Sequence, residues 1–158
     1  MDTTPSAAVA LSDALAATTE QVGRSLVSVS GRRWPITGVA QAPDLILTAA
    51  HGAEREDGLE VRVEDRRLPA QLVGRDPALD LAVLRVPGAA LPPVEWVAPA
   101  DRKVGSLVLA VSRPRGAVRA RLGLLSAVEP GFLTPWGARV DAALQADLST
   151  VPAWPAPL

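Results

Sequence analysis

The chain has 158 residues, long enough for one domain with a hydrophobic core, and 48% of them are hydrophobic against 21% charged. Sixteen basic against seventeen acidic residues leave a net charge of −1, which offers no field for nucleic acid or an anionic membrane, so neither is expected as a partner. With no cysteine and one histidine, His51, disulfides, thiolate metal sites and multi-histidine metal sites within the chain are excluded.

The opening MDTTPSAAVALSDALAATTEQ has no basic start and no unbroken apolar stretch of the signal-peptide kind. No window reaches the roughly 18 apolar residues of a spanning helix. A cytoplasmic product without membrane contact is therefore expected. Between Ser6 and Gly23, Leu11, Leu15 and Val22 recur at helical spacing with Ala14 and Thr18 near the same face, and Gly23 stands where a C-terminal cap belongs. This predicts an amphipathic helix packed on the domain.

Short β-type runs follow, broken by Gly, Pro and Asp. They are Leu26–Val29, Leu45–Thr48 and Leu59–Glu64, whose alternation turns Leu59, Val61 and Val63 to a core. Asp65-Arg66-Arg67 reads as a turn into Leu68–Val73, and Leu79–Val86 is next. After a connection rich in proline (Pro87, Pro92, Pro93, Pro99) come Leu107–Val111, Val118–Val128 and Arg139–Leu144. Many short strands without alternating helices predict an all-β barrel or sandwich, with the proline stretch between two β-units.

Two segments carry chemistry. Leu45-Ile46-Leu47-Thr48-Ala49-Ala50-His51-Gly52 places an imidazole on the first turn after a strand, held by backbone and open to a substrate, as a general base requires. In Gly74-Arg75-Asp76-Pro77-Ala78-Leu79-Asp80, Asp80 precedes an apolar strand. Its carboxylate is expected to be partly buried and in need of a partner, which an imidazole N–H would be. Asp76 competes for that role, although a residue before proline also serves to start a turn.

From Thr37 to Val86 the chain resembles the first barrel of the HtrA/Deg branch of trypsin-like serine proteases, at Thr37-Gly38-Val39, at Leu47-Thr48-Ala49-Ala50-His51 and at Asp76-Pro77-Ala78-Leu79-Asp80-Leu81-Ala82-Val83-Leu84. The second barrel is matched at Val104–Val111, at Gly123–Val128 and at Leu144-Gln145-Ala146-Asp147. The resemblance implies a trypsin-like double β-barrel with a short N-terminal helix, divided into 1–23, 24–97 and 98–158. It implies peptide-bond hydrolysis without a cofactor or metal, with His51 as general base and Asp80, not Asp76, as the acid. It also implies a polypeptide partner and leaves room for a homo-oligomer.

The pattern departs at the nucleophile. The family continues with Pro-Gly-x-Ser-Gly-Gly-Pro-Leu, whereas this chain reads Pro152-Ala153-Trp154-Pro155-Ala156-Pro157-Leu158. Aligning the first prolines puts Pro155 at the serine position and Ala153 at the first glycine of the oxyanion-hole loop. Proline has no hydroxyl to acylate and no N–H to stabilise an oxyanion, and losing one such donor costs roughly 10²–10³ in rate. The expectation is an inactive endopeptidase homologue with an incomplete second barrel and an open strand edge near Leu107–Val111. The alternative is a pseudoprotease that binds extended peptides without cutting them. Ser112, Ser126 and Ser149 are not expected to replace the serine. Trp34, Trp96, Trp136 and Trp154 are expected in core or rim packing, and Arg113-Pro114-Arg115-Gly116 is expected as a solvated turn.

Overall fold

A computed structural model describes residues 6–30, 34–53, 58–96, 103–135 and 137–148. Helix α1 (Ala7–Gly23) starts at Ser6, whose backbone is extended and whose hydroxyl accepts the Val9 N–H at 3.4 Å as an N-cap. Its far end differs from the expected glycine cap. Gly23 is the last helical residue and is buried, and Arg24, in right-handed conformation, closes the helix. A Cβ on Gly23 would come within 3.0 Å of Val118, so the glycine serves close approach rather than a left-handed cap.

Seven strands form the first sheet: β1 (Leu26–Val29), β2 (Ile36–Ala42), β3 (Leu45–Ala49), β4 (Glu60–Val63), β5 (Arg66–Pro69), β6 (Gln71–Asp76) and β7 (Leu81–Arg85). Their spatial order is β5-β4-β1-β2-β3-β7-β6, antiparallel throughout. β5 and β6 therefore occupy opposite ends of the order, yet Ala70 alone joins them in sequence. A flat sheet would hold those ends far apart, because neighbouring strands are spaced by about 4.8 Å. The sheet must curl until its ends meet, which makes it a barrel.

The run expected as one strand from Leu68 to Val73 is two, bent at Ala70, whose N–H reaches Leu59 O at 2.8 Å. The expected turn is tighter too: it lies at Glu64-Asp65, with Glu64 at φ 53°, and Arg66 and Arg67 already belong to β5. The core fills the barrel with Val27, Val29, Ile46, Val61, Leu84 and Val86, and Leu59 and Val63 point inward as the alternation predicts. β2 was not foreseen as a strand. Gly38 at its centre has Ile46 Cγ2 only 2.5 Å from where a Cβ would be, so glycine allows the core to close over it.

The second sheet has three strands among the described residues: β8 (Leu107–Ser112), β9 (Arg119–Leu133) and β10 (Arg139–Leu148), in the order β10-β9-β8. This leaves β8 and β10 at its edges, and three strands do not close a barrel. Its cross-strand apolar pairs include Leu107 with Leu124 and Leu109 with Leu122. Leu107, Leu122 and Leu124 remain 44–49% exposed. The expected division between residues 97 and 98 lies outside the described residues.

Candidate active site

The sheet register brings the two chemical segments together. β3 and β7 are antiparallel with Ala49 opposite Leu81, so the chain leaving β3 emerges beside the chain entering β7. The next pair outward is joined as well, Ala50 N–H to Asp80 O at 3.1 Å. A single 3₁₀ turn (Ala50–Gly52) then swings His51 back over Asp80. Packing fixes that turn: Ile36 fills the space above Gly52, where a Cβ could not fit.

Asp80 holds His51 at two points. One carboxylate oxygen accepts the His51 backbone N–H at 2.9 Å, and the other lies 2.7 Å from Nδ1 of the ring. Those contacts, the backbone N–H first, hold the Asp80 carboxyl below its ordinary value, against the opposing effect of burial. An ionised carboxylate can only accept, so Nδ1 carries a proton, and in the neutral ring the lone pair is on Nε2.

Asp80 adopts a left-handed backbone, φ 54°, which aspartate tolerates better than most residues. The preceding turn makes this conformation possible. Asp76 Oδ1 accepts the N–H groups of Ala78 at 2.9 Å and Leu79 at 3.3 Å, an Asx turn that positions Pro77–Asp80. Asp76 thus takes the turn-forming role and does not touch His51.

Asp80 is more open than its sequence context implied. Its side chain is 50% exposed and that of His51 68%. The physical reason is the register: Asp80 lies one residue before β7, in the turn rather than in the apolar strand.

The other sequence candidates fall elsewhere. Ser126 Oγ donates to Gln145 O at 3.0 Å, beside a break in register between Gln145 and Ala146. Ser112 ends β8, paired with Arg119. Ala153, Pro155, Ser149, Trp136 and Trp154 lie outside the described residues. Trp34 and Trp96 are rim residues: Trp96 Nε1 donates to Gln41 at 2.8 Å, and the Arg115 guanidinium stands 5.6 Å over the Trp34 ring. Among the described residues no three His, Cys, Asp or Glu side chains are placed to hold a metal ion, and none of the helices is long and apolar enough to cross a membrane.

The profile of the trypsin-like peptidase domain family matches residues 36–153. A probable periplasmic serine endoprotease, DegP-like, from Ectopseudomonas mendocina is 39% identical over 79 residues, 49% of this chain and 17% of that protein. Its namesake from Halomonas elongata is 39% identical over 85 residues, 52% of this chain and 18% of that protein. The match thus spans under a fifth of the length of these curated relatives.

Among solved structures, that of Deg5 superposes with a TM-score of 0.72 at 22% identity, covering 89% of this chain and 76% of the other. An inactive serine-to-alanine form of the M. tuberculosis Rv3671c protein superposes at 0.67 with 25% identity, covering 92% and 72%. These likenesses fit a trypsin-like double barrel whose second barrel is incomplete among the described residues.

The relatives' names correct one expectation. They are called periplasmic, against the cytoplasmic placement expected from the first residues. That expectation rested on the lack of a leader pattern in one short window, and such a lack identifies no compartment. The chain belongs to the trypsin-like peptidase domain family.

Proposed function

We propose that this chain is a peptidase homologue that keeps the acid–base half of a serine-protease site and lacks the nucleophile. In this reading His51 is the general base and Asp80 the acid that holds its tautomer. Pro155 stands at the serine position and Ala153 in the oxyanion-hole loop. The observation that carries the reading is the two-point grip of Asp80 on His51, with Nε2 left for a proton that Pro155 cannot supply. The divisions of the chain are then 1–23, 24–97 and 98–158, and the relatives' names support a periplasmic setting.

A second reading, peptide binding without cleavage, is favoured by one feature: β8 and β10 are edge strands, free among the described residues to accept an added strand. Polypeptide partners and self-association accord with the HtrA/Deg branch. A fluorophosphonate probe and a labelled unfolded protein substrate test both readings. The chain is expected neither to label nor to cut. Labelling that disappears in His51→Ala would overturn the proposal by revealing a serine that works with this base. Retention of an extended peptide without cleavage selects the second reading over an inert relic.

A further inference from the structure

The β8–β9 connection, Arg113-Pro114-Arg115-Gly116, does more than turn the chain. Arg113 N–H donates to Thr37 Oγ1 at 2.9 Å, and Ser28 Oγ donates to Pro114 O at 2.7 Å. Thr37 is tied in turn to β3, its carbonyl accepting Thr48 Oγ1 at 3.0 Å. The connection is thus fastened to β1 and β2 of the first sheet. Gly116, at φ 88°, lets it come down on Arg62, whose Cζ lies 3.3 Å from where a Cβ would be.

An open cleft of about 340 Å³ results, walled by Arg62, Arg67 and Arg115, with Ser28, Ser30 and Glu60 between them. Its three arginine charges are unevenly compensated. Glu60 lies 3.9 Å from Arg67, and Asp65 lies 3.4 Å from Arg62, whose Nε is also fixed by Glu64 O at 2.9 Å. Arg115 pairs with no carboxylate among the described residues; it stands over the face of Trp34, itself 59% exposed at the rim. A guanidinium stacked on an indole is held in place with its donors still available.

We propose that this cleft docks an acidic stretch of polypeptide, with side-chain carboxylates on Arg67 and Arg115 and apolar atoms against Trp34. Arginine forks match carboxylates in bidentate fashion, which makes this ligand class the natural fit. Nucleic acid fits less well, because a tight complex neutralises about 6–10 phosphates and the described lining of the cleft offers three cations. The assignment is independent of His51 and of any cleavage. It places the site beside Pro35, next to the Ile36 that packs over Gly52, at the same end of the first sheet as His51.

Fluorescein-labelled hexaglutamate, titrated into the full chain at low ionic strength and followed by anisotropy, tests the proposal. Saturable binding is expected, weakened about tenfold or more by Arg67→Glu with Arg115→Glu, and not seen with hexalysine. Arg121→Glu with Arg139→Glu, on the second sheet, should change it by less than about twofold, within what a general loss of charge produces. Equal loss in both double variants, unchanged binding in the cleft variant, or no binding by the parent chain overturns the assignment. Tighter binding of inorganic phosphate or of a hexathymidylate strand at the same cleft overturns the choice of ligand. Amide shifts in the unsubstituted chain supply a readout that needs no variant. Hexaglutamate should move residues 28–30, 60–67 and 113–116, and shifts confined to other residues sink the proposal.

Discussion

The two sheets use similar residues to different ends. The first curls on itself, so Val27, Ile46, Val61 and Leu84 lose essentially all contact with water. The second is equally rich in leucine and valine, yet among its described residues Leu125 alone is buried, while Leu122, Leu133 and Phe132 stay exposed. Apolar composition therefore does not by itself make a core. Closure does, and closure needs the last strand to return to the first. The His51–Asp80 pair is built wholly from β3, β7 and their adjoining turns, on the closed side. Its geometry should survive whatever happens to the open side.

The largest effect should come from the closed core. Ile46→Ala deletes a fully buried side chain and is expected to cost about 2–5 kcal/mol of stability in chemical denaturation. Leu122→Ala, in a side chain 44% exposed, should stay within about 1 kcal/mol. Equal costs would break the comparison, because they would mean that the second sheet's leucines are covered in solution. Gly123→Ala sharpens it further. A Cβ there would fall 2.2 Å from Asp147 O, a backbone atom that cannot step aside, so β9 and β10 should separate locally at a cost of about 1–3 kcal/mol. Hydrogen exchange should show faster amides in β9 and β10 with those of β1, β3 and β7 unchanged. Loss of protection in both sheets would show that they fold as one unit.

Legibility in the sequence follows the same divide. Leu59, Val61 and Val63 were readable because alternation is a local signal, and α1 was readable because its start has a cap and a period. β2 was not. Ile36-Thr37-Gly38-Val39-Ala40-Gln41-Ala42 has a glycine at its centre, and its strand character depends on β1 and β3 lying on either side. That Asp80 and not Asp76 would meet His51 was legible only through the family resemblance, since the residues by themselves left both carboxylates open. The openness of Asp80 was not legible, because it turns on the single residue at which β7 begins. The anchoring of Arg113–Gly116 was hidden for another reason: Ser28 meets Pro114 across 86 positions of sequence, a contact no local pattern encodes.

The smallest expected effect tests whether the site is fixed by its own hydrogen bonds. The Asp80 carboxyl, held below its ordinary value chiefly by the His51 backbone N–H, favours the folded state only when ionised. Its contribution is complete above the unfolded carboxyl value near 3.8 and fades as pH falls through the lower folded value. The thermal midpoints of the parent and Asp80→Asn should therefore differ by a constant amount from pH 7 down to about 5 and converge in stronger acid. With both side chains half exposed or more, that difference should correspond to a few tenths of a kcal/mol. A gap that stays constant to pH 2 would show that the substitution acts on the left-handed turn at Asp80 and not on its charge.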